Sequence, residues 1–496
     1  MSHVGYQYLC DQLKLSAFAP PRPARIASVA RLTRTTDALW VPAPVAPAGQ
    51  APLDHALFAL KHEGVNLQIL AQALKQIPES AILTRIQATP SSRYVRVLGF
   101  LWESFHGRTL QGRFSIAGPT VDLFDPKRYL TTPGQRNARW KINFNGLGSL
   151  RYCVTVERTP AIETLLALNI LEQANAFLGS LGQHAADRTL RWAYLHETES
   201  SFAIERESPT HDKAEAFVAL LKQAQAPRPM DESYLIELQN AVITNPLDKA
   251  ASFRHQQNWL RGPLRGVAGV TYVPPPPEQV RALMAEVMTF ANELPAVIDP
   301  IIAAAIAAFG LVFAHPFMDG NGRLSRFLFH YALCQSGKLA NGVLLPVSVA
   351  MQRNEAAYLT ALQSYSAPMR RRWDVRWIED DAYDFHFNGD DSLYRYWDAT
   401  HIAEFSLTMA RQALEHDLRQ ETEFLDRFDQ VYRNINARFD VRGNTLATLI
   451  ISGLQNNGKL SNNRRKQFQL TVPTPVFDAI EQACRHALAG HDIADQ

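Results

Sequence analysis

The sequence predicts a mainly α-helical protein: a helical core carrying one β-hairpin, preceded by a small mixed α/β region and followed by a C-terminal region that is helical or winged-helix. Three observations lead there. Apolar residues at helical spacing dominate residues 159–335. β-Branched and aromatic runs broken by turn residues concentrate between Tyr94 and Val156. Gly262, Gly266 and Gly269, set among β-prone residues, mark a hairpin across Arg261–Val273, which Pro274 to Pro277 stop.

With 496 residues, 46% hydrophobic and 20% charged, the chain has material for two to four domains and a large core. Phe18 to Pro52 is rich in Pro and Ala and reads as extended or irregular. Helical periodicity covers Leu57 to Ile77. Inside the mixed segment, Tyr94 to Leu101, Trp140 to Phe144 and Arg151 to Val156 read as short strands, with turns at Gly118-Pro119 and Gly146 to Gly148. Helices follow at Thr159 to Leu181, Leu190 to Glu207, Asp212 to Ala224 and Asp231 to Ile243, and Pro227 and Pro229 break the last two apart. Glu278 to Glu293, Asp299 to Ala314 and Arg323 to Gln335 are helical. From about Trp397 the tail is helical and polar. No internal repeat is found. The chain divides into 1–185, a mixed region of unassigned role; 186–395, the helical core; and 396–496, the C-terminal module.

The formal net charge of +2 excludes a strong global pull toward nucleic acid or an anionic membrane. The short basic run Asn462 to Lys466 reads as a solvated loop, with a phosphate-binding patch as the minority reading, so nucleic-acid contact through the C-terminal module stays open. Cys10, Cys153, Cys334 and Cys484 are far apart without metal-ligand spacing, as expected of reduced thiols in a cytoplasmic protein. The start, Met1 to Gln7, lacks the pattern of a signal peptide. Ile301 to Phe313 is too short to span a bilayer, so no membrane partner is expected.

The chemistry gathers at His315-Pro-Phe-Met-Asp-Gly-Asn-Gly-Arg-Leu-Ser-Arg326. Pro316 ends the apolar helix before it. Gly320 and Gly322 permit positive φ, and a new helix opens at Arg323, so unpaired amides converge as an anion site. Arg323 and Arg326 are three apart and share a helix face beside that site. Asp319 is placed to hold Mg²⁺ against phosphates. His315 is the one nearby side chain that takes a proton near neutrality. Phe317 is expected to turn inward and pin the loop. Each part alone is usually structural: a satisfied histidine, a turn, a cap. Their order and spacing together suit phosphoryl or nucleotidyl transfer, which rests on positioning and charge stabilisation.

This stretch resembles the Fic family, whose motif H-x-F-x-[DE]-G-N-G-R-x-x-R residues 315–326 match at all eight specified positions. A looser likeness runs from about Arg191 to about Leu362. The resemblance implies a protein adenylyltransferase that moves AMP from ATP to a Tyr, Thr or Ser hydroxyl of a target protein, and to itself. It implies that His315 deprotonates that hydroxyl and Asp319 binds Mg²⁺. Asn321 and the amides around Gly320 and Gly322 would hold the α-phosphate, Arg323 the β-phosphate region and Arg326 the γ-phosphate. Gly322 followed by Arg323 is similar to the adenylylating branch rather than the one that phosphorylates from a reversed nucleotide.

Three further segments share the likeness. Residues 258–274 look like the family's flap, a hairpin whose edge can accept a target segment as an added strand; Gly269, Val270, Thr271 and Tyr272 are its docking positions. Glu199 to Glu205 resembles the inhibitory helix S-x-x-x-E-[GN], spanning about 196–207, with Ser201 and Glu205 on one face. The resemblance implies that Glu205 pairs with Arg326 and takes the γ-phosphate's place. Arg206 departs from the pattern, which has Gly or Asn there. Asn354 and Tyr358, four apart, are similar to the adenine-side residues, with core packing as the alternative for Tyr358. Two rival functions remain open: removal of AMP from a target by the same site, and a DNA- or protein-binding regulator with a nucleotide-sensing core. The target's identity and a homodimeric state are equally open.

Overall fold

The computed structural model describes residues 2–243, 249–379 and 382–489. Helices dominate it, as expected, around three main apolar cores. The first gathers N-terminal residues from Tyr6 to Cys153. The second and largest runs from Leu130 to Leu418. The third joins Val431 to Ala487.

The N-terminal region is mixed, but its strands differ from expectation. Within the Pro- and Ala-rich stretch, Ala24–Ala27 and Leu39–Pro42 pair in parallel, with His3–Val4 and Thr33–Arg34 on the outer edges of a four-stranded sheet. Extended backbone here finds partners instead of remaining irregular. Leu57 to Ile77 divides into helices Pro52–His62 and Leu67–Gln76 around Gly64, whose φ of 102° no helix accepts. Thr159 to Leu181 likewise divides at Asn169, φ 49°.

The run Tyr94 to Leu101 is no strand: it lies in helix Arg93–His106. Every residue from Val95 to Trp102 is buried, and the β-branched and aromatic content that reads as a strand belongs to this buried helix. Gly99 lies so close to Trp140 that a Cβ would overlap the indole. Ile142–Phe144 and Cys153–Thr155 are strands, as read from sequence.

Strand Tyr396–Asp398 pairs in parallel with Cys153–Thr155, so the boundary drawn near 396 falls inside a sheet shared with the N-terminal region. Helix Thr400–Gln412 packs into the central core through Phe405 and Met409. Beyond Asp398 the described residues hold no strand; the C-terminal region is helical, and the wing of the winged-helix alternative is missing there. Arg465, from the basic run, pairs with Asp478 and Glu481, both at 2.9 Å. No helix among the described residues is long and apolar enough to cross a membrane, and all four cysteines are free thiols.

The expected hairpin forms from Leu260–Arg261 and Val270–Tyr272, antiparallel with a bulge. A second hairpin, unread in the sequence, pairs Trp373–Glu379 with Ala382–Phe387. Trp373 and Val375 pack on Val270 and Val273, so the second hairpin buttresses the first.

Candidate active site

The site is built on two helices, Pro300–Ala314 and Asn321–Gln335, and the loop between them. Asp299 caps the first, accepting bonds from the amides of Ile301 (3.0 Å) and Ile302 (3.1 Å), with Pro300 in the first turn. Every residue of that helix except Val312 is buried, which explains its unbroken apolar sequence. It ends where His315 turns into the left-handed region, φ 48°, ψ 61°. A non-glycine residue pays roughly 1–2 kcal/mol for that conformation. Arg254 offsets it: its amide donates to the Pro316 carbonyl at 2.8 Å and its Nε to the His315 carbonyl at 2.8 Å.

The loop is then fixed from within. The Asn321 side chain accepts from the Phe317 amide (3.0 Å) and donates to the Phe317 carbonyl (2.8 Å). Asn258 donates to that same carbonyl at 2.9 Å. The Phe317 ring is buried against Phe253, turned inward as expected. Gly320, φ 85°, caps the second helix, whose first amides have no intrahelical acceptor.

Both motif arginines are buried. Arg326 is tightly held: Nε donates to Ser201 Oγ (2.5 Å), and Nη2 donates to the Ser201 carbonyl (2.7 Å) and to Glu205 Oε1 (2.6 Å). Arg323 is loosely held. Glu205 lies 3.4 Å away, Glu207 3.6 Å and Asp319 3.3 Å, and its buried Nε has no hydrogen-bond acceptor. Its guanidinium lies over the Phe202 ring, 5.2 Å from the centroid. Glu205 reaches both arginines only because residue 322 is glycine; a Cβ there would overlap Glu205 Oε1.

Glu205 closes the helix Gln183–Ile204, and the turn that ends it has a recognisable form. The Arg206 amide donates to the Ala203 carbonyl (2.8 Å) and the Glu207 amide to the Phe202 carbonyl (3.1 Å), the two bonds of a Schellman motif. Such a motif puts its post-helical residue in the left-handed region, and Arg206 sits there at φ 61°. The position that departs from the Gly-or-Asn pattern is therefore the one where those residues fit best. The Arg206 side chain is exposed.

The His315 ring is half-exposed by surface area, yet dense protein around it strips most of its hydration. Burial is the main cause that pulls its pKa from 6.5 to about 4, with Arg254 adding to the shift and the Val312 carbonyl and Asp319 opposing it. Nδ1 lies 3.1 Å from the Val312 carbonyl. That contact places the proton on Nδ1 and leaves the Nε2 lone pair available. Asp319 is exposed; its Oδ1 accepts from the Gly320 amide at 2.6 Å and from Arg323 Nη2 at 3.3 Å. Among the described residues no three His, Cys, Asp or Glu side chains group as a metal site. A lone carboxylate fits a divalent ion whose other ligands are phosphate oxygens and water, as Mg²⁺ takes.

The flap residues divide. Thr271 is exposed; Gly269 and Val270 are buried. Tyr272 is buried, and its hydroxyl donates to the Phe313 carbonyl at 2.6 Å, bracing the helix that ends in His315. Tyr358 lines a space of about 20 Å³ with Val312, Arg326 and Met351, room for one water. Asn354 is not on that wall; it donates to Ala350 and Gln412, both at 2.8 Å. Sequence reading missed Arg254, and it placed Asn258 and Glu207 only at the ends of the flap and of the inhibitory segment, with no role at the site. None lies in a spaced pattern, and Arg254 meets His315 across 61 positions.

Residues 229–333 match the model of the Fic/DOC family, so the chain carries a Fic-type domain over that span. Protein adenylyltransferase fic-1 of Caenorhabditis elegans is 42% identical over 77 residues, which is 15% of either chain. Protein adenylyltransferase Fic of Drosophila melanogaster is 32% identical over 106 residues, 21% of this chain and 20% of that one. This chain thus spans a fifth or less of those relatives' length. Among solved structures, a Fic family protein from Desulfovibrio desulfuricans G20 aligns with 21% identity and a TM-score of 0.40, covering 64% of this chain and 90% of that one.

Proposed function

We propose that this chain transfers AMP from ATP to a Tyr, Thr or Ser hydroxyl of a target protein, with itself as one acceptor, and that Glu205 restrains the reaction. The observation that carries this reading is the pair of buried guanidiniums at one helix start, met by a carboxylate from another helix. Two buried like charges beside a helix N-terminus call for an anion. Glu205 supplies one carboxylate where a polyphosphate would supply more. The Nε of Arg323 lies 3.4 Å from Glu205 Oε2 without a hydrogen bond, so the carboxylate meets this donor by charge alone.

In the proposed reaction, His315 Nε2 takes the proton of the target hydroxyl. The hydroxyl oxygen bonds to the α-phosphorus, the bond from that phosphorus to the bridging oxygen breaks, and pyrophosphate leaves. Arg323, Arg326 and the helix amides would hold the phosphates once Glu205 moves aside. Asp319 would hold Mg²⁺, which when bound supplies charge neutralisation of the polyphosphate. The similarity to named protein adenylyltransferases supports the choice of AMP transfer.

The test uses ATP labelled at the α or the γ position. Protein labelling from α alone is expected. Glu205→Gly should raise it about tenfold or more, equivalent to ~1.4 kcal/mol, and His315→Ala should abolish it while ATP still binds. Labelling from γ alone would mean phosphorylation. Loss of label from a previously adenylylated target, with no net transfer, would mean an eraser.

A further inference from the structure

Between the N-terminal region and the helical core lies a cavity of about 670 Å³. That is within the range of small-molecule sites, about 300–1,000 Å³. It is separate from the motif loop: none of residues 315–326 lines it. One wall comes from the N-terminal region, including Phe18, Arg34, Glu63 and Tyr129; the other comes from the core, including Tyr365, Arg371, Arg372 and Trp397.

Charge on these walls is unbalanced. Arg22 and Arg128 both close on Glu157 at 2.7 Å, so those three neutralise one another in part. Arg34, Arg371 and Arg372, by contrast, have no carboxylate at ion-pair distance among the described residues. Arg34 donates only to the His62 carbonyl, at 3.3 Å, and Arg372 to the Ala17 carbonyl, at 2.7 Å. Asp398, also on the wall, is occupied in capping through Thr400. Glu63 accepts from the Tyr6 amide through Oε1 (2.9 Å), whereas its buried Oε2 has no partner. Burial pushes Glu63 up to about 8, so at neutral pH it offers a hydroxyl donor rather than a negative charge.

We propose that this cavity binds a ring-bearing organic anion of roughly mononucleotide size, its anionic group held by Arg34, Arg371 and Arg372 and its ring set among Phe18, Tyr129 and Trp397. Guanidiniums suit phosphate and carboxylate alike, and the aromatic walls suit a flat ring. The position matters to the motif loop. Tyr365, which lines the cavity, stacks on Phe313 with centroids 4.2 Å apart, and Trp397 meets the same ring at 5.3 Å. Phe313 lies two residues before His315.

The test is calorimetric titration of the full chain with AMP, phenyl phosphate and 4-hydroxyphenylacetate, which distinguish a nucleotide, another aryl phosphate and an aryl carboxylate as the source of the anion. At least one should bind wild type and Arg326→Ala alike. The double variant Arg34→Ala/Arg371→Ala should weaken it tenfold or more. Ser364→Trp, which fills the cavity without removing charge, should do the same if the folded chain is confirmed by its melting curve. The proposal is overturned if none of the three binds, or if the cavity variants bind as wild type does. Since no transfer is read, the outcome is independent of the AMP-transfer proposal.

Discussion

On the proposed function, replacing Arg206 by glycine should strengthen the restraint assigned to Glu205. The left-handed conformation at φ 61° costs an L-residue roughly 1–2 kcal/mol. Glycine removes that cost but loses about 0.5–1 kcal/mol more backbone freedom when the turn forms. The net gain is ~0.5–1 kcal/mol for the closed Schellman turn, provided the strain relaxes when the turn opens and Glu205 leaves Arg326. A two-state restraint would convert this into a fall of about two- to fivefold in basal transfer. Initial rates of auto-modification with α-labelled ATP read it directly. Arg206→Ala is the decisive control: it removes the long cation but keeps the Cβ, so its rate should stay near wild type. If alanine slows transfer as much as glycine does, the side chain and not the backbone is responsible. If glycine speeds it, the reasoning fails.

Three other perturbations have defined outcomes. His315 titrates at about 4 rather than 6.5, so the folded site keeps it neutral well below neutrality. In the Glu205→Gly background kcat/KM should stay level down to about pH 5 and fall with a midpoint near 4, whereas a midpoint near 6.5 would contradict the burial argument. Arg254→Ala removes donors to the carbonyls of His315 (2.8 Å), Gln256 (3.0 Å) and Pro275 (2.5 Å). Denaturant melts should register a loss of about 2–4 kcal/mol, and transfer should fall more than tenfold with ATP affinity little changed; an unchanged rate would remove Arg254 from positioning the histidine. Glu63 is raised from 4.5 to about 8, so the folded chain keeps a proton that the unfolded chain releases. Its contribution is complete below pH 4.5 and is lost as pH rises through 8, so wild type should lose more melting temperature than Glu63→Gln between about pH 5 and pH 9. Equal losses would refute the assignment.

The motif loop was legible because its parts must be contiguous: a histidine at a helix end, two glycines and two arginines one turn apart can only occur in a short fixed order. Ser201 and Glu205 were legible for a similar reason, since four-residue spacing on a helix brings them to one guanidinium. What escaped was long-range. Arg254 and Asn258 bind backbone carbonyls of the loop, and a carbonyl carries no sequence signature. The hairpin Trp373–Glu379 with Ala382–Phe387 is stabilised by packing on the flap, so its partner had to be known first. At Tyr94 to Leu101 the failure was the reverse: strand-like composition outweighed a helical period that Tyr94, Leu98, Leu101 and Phe105 also carry. Asn354 and Tyr358 share a helical spacing, yet only Tyr358 faces Arg326, because Asn354 is taken by Gln412.

How Glu205 would be released follows from what holds its helix. Glu197, two turns earlier, is fully buried; its Oε1 meets His330 Nε2 at 2.7 Å and Ser348 Oγ at 2.6 Å, and its Oε2 accepts from the Ser348 amide at 2.7 Å. Thr198, Ser201 and Phe202 are buried beside it. Undocking the helix would break the bonds of Glu197 to His330 and Ser348, each worth about 0.5–1.5 kcal/mol net, and would expose the buried Phe202. Moving Glu205 requires far less: its side chain is a quarter exposed, it lies at the cap rather than within the helix, and the turn behind it is strained at Arg206. On the proposed function, the restraint therefore opens in its last turn while Glu197 keeps the rest of the helix docked. Glu197→Gln should then destabilise the whole core in a melt without mimicking the fast transfer of Glu205→Gly. A Glu197 variant with full stability and high activity would mean that the entire helix swings.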